Sequence, residues 1–364
     1  MLVTETIAIP VEEIGSKALA GERLSVREGV ALFEQADLQQ LGLWGAEIRD
    51  RKKGHRASYI VNRYLNYSNV CILNCQFCSF ARKKRDEDAY AYSIEDMVVE
   101  AKKSLDSGIT EIHIVGGLHP SLPFDFYLDM VRSLNELDSN LKIKAFTAIE
   151  IRHLAYRVRK ASIRTTLSEL KAAGLSALTG GGAEIFDAEV RDQICRGKES
   201  SDEWLEVHRI WHEMGMHSTA TMLYGHVETI QHRFRHMSLL RDLQDQTGGF
   251  TGFIPYAFEP ENNRLSHIKR ASALEELRML ACARIFMDNF DNITAYWIST
   301  GLSLAQVALS YGVSDLHGTI EDERIFHQAG AKTPVAQTVG RIQQAIEEAG
   351  LEPVQRDTYY RCLT

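Results

Sequence analysis

Strand-like and helix-like segments alternate along most of this chain, and this alternation constrains the fold more than any other feature. From about residue 56 onward, short apolar runs that predict strands are followed by amphipathic segments that begin at helix-capping residues. Ser93 with Asp96 is one capping box, and Ser25 with Glu28 is another in the helical stretch that precedes the first strand. Such alternation favours a parallel sheet wrapped by helices, and therefore predicts the α/β class.

Eight strand candidates predict a closed (β/α)8 TIM-type barrel. The candidates are residues 60–70, 111–115, 142–147, 176–179, 217–224, 252–256, 293–297 and 311–316. Residues 1–55 are predicted to form an N-terminal helical cap, residues 56–330 the barrel, and residues 331–364 a C-terminal helix and tail. The C-terminal helix is predicted to start with Thr333 as cap and Pro334 as first helical residue, and to end at Gly350. No linker-like segment divides the 364 residues, so we expect a single domain.

Composition and charge exclude several classes of partner. The chain is 45% hydrophobic and 25% charged, as in ordinary globular proteins. A formal net charge of −8 argues against a sequence-independent grip on nucleic acid, which needs a basic face. No apolar run approaches the roughly 20 residues that cross a bilayer, so no membrane association is predicted. The first residues lack the basic and apolar regions of a signal peptide, which predicts a cytoplasmic location.

Three closely spaced cysteines, Cys71, Cys75 and Cys78, follow the first predicted strand, with Phe77 just before the last of them. Three thiolates on one short loop can ligate a single iron–sulfur cube. The other three of the six cysteines lie far along the chain, so one iron would remain open to a ligand from outside the protein, which suggests catalysis. The alternatives are a zinc site completed by a distant histidine, and buried thiols that bind nothing.

The CxxxCxxC spacing, preceded by Asn66-Tyr67-Ser68-Asn69, resembles the cluster loop of radical S-adenosylmethionine (SAM) enzymes. More narrowly, it resembles the menaquinone and deazaflavin branch of that superfamily. The resemblance implies a barrel of the radical SAM kind, with a 4Fe-4S cluster on the three cysteines and SAM on the open iron. In that family an electron from the cluster splits SAM into methionine and a 5'-deoxyadenosyl radical. A reducing partner such as flavodoxin or ferredoxin is therefore also implied.

The resemblance also assigns residues to SAM at the ends of predicted strands, where barrel loops converge. The glycine pair after the second strand is implied to bind the amino group of SAM through its carbonyls. The glutamate that follows three glycines is implied to face the ribose or the amino group, and backbone amides at the end of the fifth strand are implied to pair with adenine. The cofactor-binding residues predicted in this way are Phe77, Gly116, Gly117, Glu184, Leu223 and Tyr224.

Six short sequence stretches, from the last cysteine of the loop onward, resemble the aminofutalosine synthase group in particular. These runs lie at 78–82, 116–120, 180–184, 220–226, 315–319 and 327–330. The group consumes SAM by adding the adenosyl radical to 3-[(1-carboxyvinyl)oxy]benzoate, with rearrangement and loss of carbon dioxide. The sister futalosine cyclase and the deazaflavin synthases are alternatives with the same machinery. A non-catalytic metal-binding or redox-sensing protein is an alternative from a different class.

Polar candidates for the substrate follow from its chemistry. The implied aromatic substrate carries two carboxylates, and arginine binds a carboxylate through two parallel hydrogen bonds. The arginine candidates, each alternatively a surface ion pair, are Arg82, Arg196 and Arg264. Histidine can act as acid or base near neutral pH. The histidine candidates near the predicted mouth, each alternatively structural, are His119, His226 and His317.

Overall fold

The computed structural model describes residues 10–363 and has nine strands and fifteen α-helices within them, together with a 3-10 helix at Leu105–Ser107 and a π-helix at Leu154–Arg159. The strands are β1 (Arg56–Ile60), β2 (Asn62–Leu65), β3 (Glu111–Ile114), β4 (Lys142–Ala145), β5 (Leu175–Leu178), β6 (His217–Tyr224), β7 (Phe250–Ala257), β8 (Asp315–Gly318) and β9 (Glu352–Gln355). The helices are α1 (Val11–Leu19), α2 (Val26–Gln35), α3 (Leu38–Lys53), α4 (Ile94–Lys102), α5 (Phe124–Asn135), α6 (Ala148–His153), α7 (Ile163–Ala172), α8 (Ala188–Cys195), α9 (Ser201–Glu213), α10 (Ile230–Thr247), α11 (Ala273–Phe286), α12 (Trp297–Thr300), α13 (Leu302–Leu309), α14 (Ile325–Gln328) and α15 (Val339–Glu348). Residues 1–9 and 364 lie outside the described part. The start of the predicted helical cap and the first residues used for the signal-peptide prediction belong to this stretch, so the structure does not test them.

The strands form two parallel sheets that together make a barrel. Strands β2 to β7 lie side by side in chain order, and β1 lies between β8 and β9 in a second sheet. Single parallel bridges join Phe253 to Ile293 and Thr294 to Asp315, so the chain at 293–294 connects β7 to β8. Strand β1 continues into β2 with only Val61 between them. The second sheet thus completes the open side of the curled first sheet, and the predicted α/β barrel is confirmed.

Three predicted strands differ from the observed ones. The predicted first strand, 60–70, corresponds mainly to β2, which ends at Leu65, and only its first residue belongs to β1. The two are separate strands, because β1 pairs with β8 and β9 whereas β2 pairs with β3. The predicted seventh strand supplies only the two bridges at 293–294, and its last residue already begins α12. The predicted eighth strand is shifted toward the C-terminus, since Tyr311 and Gly312 form a turn and pairing begins at Asp315.

Helix starts follow side-chain caps. Both predicted capping boxes are confirmed, because Ser25 caps α2 and Ser93 caps α4 through reciprocal hydrogen bonds. The predicted start of the last helix is wrong. Thr338 caps α15 by accepting from the amide of Arg341, whereas the Thr333 hydroxyl donates to the carbonyl oxygen of Ile298. None of the described helices combines the length and the apolar character needed to cross a bilayer.

Candidate active site at the carboxyl ends of the strands

A cavity of about 290 Å³ lies where the barrel strands end. Its wall takes residues from the loops after β2, β3, β4 and β5 and from the last residues of β6, β7 and β8. Parallel strands bring their carboxyl ends to one face of a barrel, which explains why segments so distant in the chain meet here. The polar side chains of the wall are therefore candidates for function.

All three cysteines of the CxxxCxxC loop line this cavity and are partly exposed. Backbone hydrogen bonds hold the loop at its start, because the amide of Cys71 donates to the carbonyl oxygen of Arg82 over 2.9 Å. The amide of Gln76 anchors its middle by donating to the carbonyl oxygen of Ile194 over 2.7 Å. The loop is thus fixed at both places independently of any ligand.

Two basic side chains, those of Arg82 and Lys83, donate hydrogen bonds to backbone carbonyls of the same loop. The Arg82 guanidinium donates to the carbonyl oxygens of Ser79 over 2.7 Å and Ala81 over 3.1 Å, and also binds Asp88. The Lys83 ammonium donates to the carbonyl oxygens of Cys71 over 3.0 Å and Leu73 over 2.7 Å. These contacts stabilise loop carbonyls that would otherwise lack partners.

The thiols fit an iron–sulfur cluster by their chemistry and by their shared cavity wall. Burial raises the pKa of Cys75 and Cys78, while Lys198 opposes this rise by stabilising the thiolates. Bound iron would deprotonate the thiols, and the Lys198 ammonium would offset part of the resulting negative charge. Among residues 10–363, no group of three or more His, Cys, Asp or Glu side chains is placed to hold a metal ion directly. The fit therefore rests on the cysteine loop and the cavity.

The predicted glycine pair lies where only glycine fits. A Cβ at Gly116 would come within 2.5 Å of the Tyr67 ring, and one at Gly117 would come within 2.3 Å of the carbonyl oxygen of Val70. Neither glycine has a positive φ, so the requirement is space rather than backbone conformation. The close packing joins the turn after β3 directly to the start of the cysteine loop.

Glu150 connects this turn to the end of β4, a role that the sequence reasoning missed. Its buried carboxylate accepts from the Tyr67 hydroxyl over 2.9 Å, from the amide of Gly116 over 3.1 Å and from the amide of Thr147 over 2.8 Å. Burial raises the pKa of this carboxyl, although all of these donors counteract the rise. The network fixes the two turns that form one side of the cavity.

Glu184 lines the cavity, as its predicted role requires, and forms a buried ion pair with Lys198. Burial lowers the pKa of Lys198, but the charges of Glu184 and Glu199 outweigh this and raise it well above its usual value. The Lys198 ammonium also lies 5.8 Å from the ring centroid of Phe77, within cation–π range. Lys198 is thus a cation of the cavity wall beside the cysteine loop, and the sequence reasoning did not select it.

The two predicted adenine-binding positions differ from each other. Leu223 lines the cavity, but its amide donates to the carbonyl oxygen of Glu184 over 3.1 Å, so that amide is already used. Tyr224 does not belong to the cavity wall and instead packs its buried ring against the Arg233 guanidinium. The Leu223 amide is therefore not available to pair with a base, and the position of the Tyr224 ring does not test the predicted role of the Tyr224 amide.

Of the histidine candidates, His317 alone lines the cavity. The His119 ring accepts from the amides of Ser121 and Leu122 at the following turn. The His226 ring contacts the carbonyl oxygen of Leu223 and pairs with Glu228. Both of these rings have structural partners, whereas His317 has φ 64° and only one partnered nitrogen.

None of the three arginine candidates lines the cavity within the described residues. Arg82 clamps the cysteine loop, Arg196 is exposed beside Asp192, and Arg264 is exposed and contributes its backbone amide to the carbonyl oxygen of Gln76. We therefore do not propose them as partners of a substrate carboxylate. The cysteines outside the loop also lie apart from the cavity wall, Cys195 and Cys282 being buried and Cys362 exposed.

Comparison with known protein families gives a match for each half of the chain. Residues 65–240 match the model of the radical SAM superfamily, and residues 247–364 match that of the CofH/MqnC C-terminal region. The first match contains the cysteine loop, the glycine turns and Glu184, and the second contains the late strands with His317. Residues from both matched segments line this cavity.

Individual relatives cover almost the whole chain. An aminodeoxyfutalosine synthase from Thermus thermophilus is 43% identical, over 97% of this chain and 95% of its own length. A cyclic dehypoxanthine futalosine synthase from Streptomyces coelicolor is 36% identical, over 97% of this chain and 89% of its own length. Among solved structures, methylornithine synthase has the same fold, with a TM-score of 0.75 at 18% identity, over 93% of this chain and 97% of that one.

Proposed function

We propose, from the premise that this chain belongs to the radical SAM superfamily, that it is an aminofutalosine synthase of menaquinone biosynthesis. The observation that carries the proposal is the convergence of the three cysteines, the Gly116-Gly117 turn and the Glu184–Lys198 pair on one cavity. The identity of 43% over nearly the full length of an aminodeoxyfutalosine synthase supports the choice within the superfamily. The enzyme class is radical SAM, with a 4Fe-4S cluster and SAM as its cofactors.

The bound cluster and SAM supply a 5'-deoxyadenosyl radical, and the residues of this chain bind and orient the reactants. Cys71, Cys75 and Cys78 hold the cluster, and the Glu184–Lys198 pair provides one acceptor and one donor for the polar groups of SAM. Holding two reactants in contact replaces a collision in solution by a reaction within one complex. The loop anchored at Gln76 and the turn fixed by Glu150 supply this rigidity.

The cavity wall also suits a radical reaction because much of it is apolar. Leu118, Ile149, Ile254 and Phe258 line it between the polar groups. Such side chains exclude water from the reacting atoms. The proposed substrate is 3-[(1-carboxyvinyl)oxy]benzoate, to which the adenosyl group is joined with loss of carbon dioxide. We further propose a cytoplasmic location and a small redox protein, such as flavodoxin or ferredoxin, as electron donor.

An assay of product formation tests the proposal. Cluster-loaded, reduced protein is incubated with SAM and, in separate samples, with the enolpyruvyl ether or with dehypoxanthine futalosine. We expect an adenosylated, decarboxylated product from the ether only. Formation of free 5'-deoxyadenosine without such a product would contradict the proposal. Conversion of dehypoxanthine futalosine would instead favour the cyclase activity, to which 36% identity with a cyclic dehypoxanthine futalosine synthase also points.

A separate measurement tests the cluster. Anaerobic reconstitution of Cys71→Ala, Cys75→Ala and Cys78→Ala should reduce iron from about four atoms per chain to nearly none, with loss of the brown absorbance. Cys282→Ala is the matched control, because Cys282 is a fully buried cysteine in α11 that does not belong to the cavity wall. Stoichiometric zinc in a colourless parent protein, or full iron in the loop variants, would contradict the assignment.

A further inference from the structure

Two imidazoles of the cavity wall have unused hydrogen-bonding capacity. Among the described residues that line the cavity, only His113 and His317 carry a buried side-chain nitrogen without a protein partner, in each case Nδ1. A buried polar atom without a partner costs about 1–3 kcal/mol, so its presence in a ligand cavity indicates a partner that arrives with the ligand. These two nitrogens therefore mark a binding position.

The carboxylates of the cavity do not offer an equivalent position, because each already has protein partners. Glu150 accepts from Tyr67 and Gly116, and Glu184 pairs with Lys198. The other two carboxylates are also bonded: Glu259 accepts from Arg270 over 2.6 Å, and Glu323 accepts from the amide of Phe326 over 2.9 Å. Among the carboxylates and imidazoles of the described cavity wall, the two buried Nδ1 atoms are thus the groups without a protein partner.

The imidazoles belong to a continuous aromatic wall. The ring of His113 stacks on Tyr64 with a centroid distance of 4.4 Å and an interplanar angle of 14°. The ring of His317 meets the edge of Tyr296 at 5.1 Å, and the chain of contacts continues to two more rings. The members of this aromatic wall are Tyr64, His113, Tyr256, Tyr296, His317 and Phe326. It differs from the part of the wall formed by the cysteine loop and the glycine turns.

The protons on these side chains determine how many hydrogen bonds the aromatic wall can donate to a ligand. The Tyr64 hydroxyl lies 3.2 Å from Nε2 of His317, and burial lowers the pKa of His317 well below its usual value, so the ring is neutral. A neutral imidazole and a phenol carry two protons, and the bond between them uses one. When the Tyr64 hydroxyl donates to Nε2, the proton of His317 is held on the free Nδ1, so this bond fixes the tautomer that can donate to a ligand. His113 is also neutral, since burial and the charge of Lys144 lower its pKa to about 3, and it offers another donor.

We propose that the aromatic wall is the subsite for the ring of the aromatic substrate, with His113 and the Tyr64–His317 pair donating hydrogen bonds to its ring carboxylate. This inference rests on the proposed function. It names the groups that bind the aromatic substrate, which reacts with SAM. Ring-to-ring contact supplies shape and dispersion for a benzoate. Neutral donors bind its carboxylate where none of the described cavity-lining residues is an arginine.

Two conservative variants test this subsite. His113→Phe keeps a ring that can stack on Tyr64 but removes both nitrogens, and Tyr64→Phe removes only the hydroxyl. In cluster-loaded protein we expect each variant to raise the KM for the enolpyruvyl ether about 10-fold or more. The KM for SAM and the cluster absorbance should change less than 2-fold. Tyr359→Phe is the control, because it removes a tyrosine hydroxyl that donates to Ser176 away from the cavity wall.

A binding measurement separates this inference from the proposed function. Equilibrium dialysis of the cluster-loaded protein uses 3-hydroxybenzoate and 3-hydroxybenzamide as probes, and we expect the benzoate to bind more tightly in the parent and to lose this advantage in both variants. If the parent forms no adenosylated product but shows this pattern, the proposed function fails and the aromatic carboxylate subsite stands. If the parent forms product while both variants keep the parent's KM for the ether and its benzoate preference, the subsite is wrong.

Discussion

At the scale of single residues, Glu184 is constrained through both its backbone and its side chain. Its φ of 45° is unusual for a residue other than glycine, its carbonyl accepts from the amide of Leu223, and its carboxylate pairs with Lys198. Strained, buried and charged positions of this kind cluster at functional sites. The backbone and side chain together fix the direction of this carboxylate.

Glu184→Gln should separate the stability role of this pair from its binding role. The change removes the hydrogen-bonded counter-charge of the buried Lys198 and leaves Glu199 as the neighbouring carboxyl, which should lower the free energy of unfolding by up to about 3 kcal/mol. In Glu184→Gln/Lys198→Met the buried Lys198 charge is gone and Glu199 keeps Arg191 at 3.7 Å as its partner, so stability should return to within about 1–2 kcal/mol of the parent. Denaturant unfolding measures both values. Binding of SAM should stay weakened in both proteins, and full recovery of SAM affinity in the double variant would contradict the assigned role.

Glu199 predicts a specific dependence of stability on pH. Both carboxylate oxygens are buried without a hydrogen-bond partner, and burial raises the pKa of Glu199 to about 7 from the usual 4.5, although Lys198 and Arg191 oppose this rise. Folding therefore takes up a proton between about pH 4.5 and 7. Because the folded state binds this proton more tightly, the contribution of Glu199 lowers the free energy of unfolding as the pH rises through this window.

Glu199→Gln removes this titration and provides the test. Relative to the parent, the variant should gain about 2–3 kcal/mol in the free energy of unfolding between pH 4.5 and pH 8. Urea unfolding at several pH values measures the difference, in which the other titrating groups cancel. Glu206→Gln, at an exposed position of α9, is the control and should follow the parent curve. Parallel curves for Glu199→Gln and the parent would show that Glu199 does not titrate in this range.

At the scale of elements, the site depends on how closely the turn after β3 approaches the cysteine loop. Gly117→Ala would place a methyl group 2.3 Å from the carbonyl oxygen of Val70 and 3.0 Å from Cβ of Cys71. Backbone atoms cannot yield as a flexible side chain does, so the loop must shift. We expect the iron content after reconstitution to fall by about half or more, with a loss of stability of about 1–3 kcal/mol.

Gly340→Ala is the matched control for this turn. Its Cβ would meet no atom within 4 Å, and it lies at an exposed position of α15. Alanine there should raise the free energy of unfolding by about 0.5–1 kcal/mol and leave the iron content unchanged. Equal iron contents in Gly117→Ala and Gly340→Ala would show that the close approach of turn and loop is not required.

The same elements show which parts of the site can be predicted from sequence. The cysteine spacing and the glycine turns are local patterns, and both lie at the cavity as their positions after strands predicted. Lys198 could not be found in this way, because its partner lies 14 residues earlier and the two meet only through tertiary packing. The arginine candidates rested on charge alone, and charge does not indicate whether a side chain points into or away from a barrel.

A usable signal for the aromatic wall was nevertheless present in the strands. In β3 the polar Glu111 and His113 alternate with isoleucines, and in β8 Asp315 and His317 alternate in the same way. Alternate residues of a barrel strand face its interior, while the others face the surrounding helices. Polar residues at every second position of a short buried strand therefore predict interior groups. Our sequence reasoning used strand ends and overlooked this alternation.

At the scale of the whole molecule, the alternation of predicted strands and helices indicated a barrel but not the strand pairings that complete it. At 293–297 the sequence predicted a full strand where only the two bridges at 293–294 form, and β1 differs from a standard barrel strand because it also pairs with β9 from the C-terminal tail. Pairings between residues about 300 positions apart leave no mark on local periodicity. The C-terminal tail is consequently part of the barrel, although the sequence predicted residues 331–364 as a helix and tail outside it.

Arg356, which follows β9, connects this tail to the amino-terminal end of the barrel. Its buried guanidinium binds the Asp315 carboxylate through two bonds of 2.6 and 3.1 Å. Asp315 also accepts from Ser58 over 2.7 Å and from Thr294 over 3.0 Å, so one carboxylate joins β1, the 293–294 bridge, β8 and the tail. Arg356→Met should therefore lower the free energy of unfolding by about 3–5 kcal/mol, because Asp315 stays buried without its counter-charge.

The matched variants show whether the loss comes from the broken pair or from the shape of the tail. Asp315→Asn/Arg356→Met contains no unpaired buried charge at this position and should recover more than half of the lost stability. Arg361→Met removes an exposed arginine of the same tail, paired with Asp357, and should change stability by no more than about 0.5 kcal/mol. Chemical denaturation of the four proteins measures these differences. If Arg356→Met unfolds at the same denaturant concentration as Arg361→Met, the tail does not secure the barrel through this pair, and the pairing of β9 with β1 must do so alone.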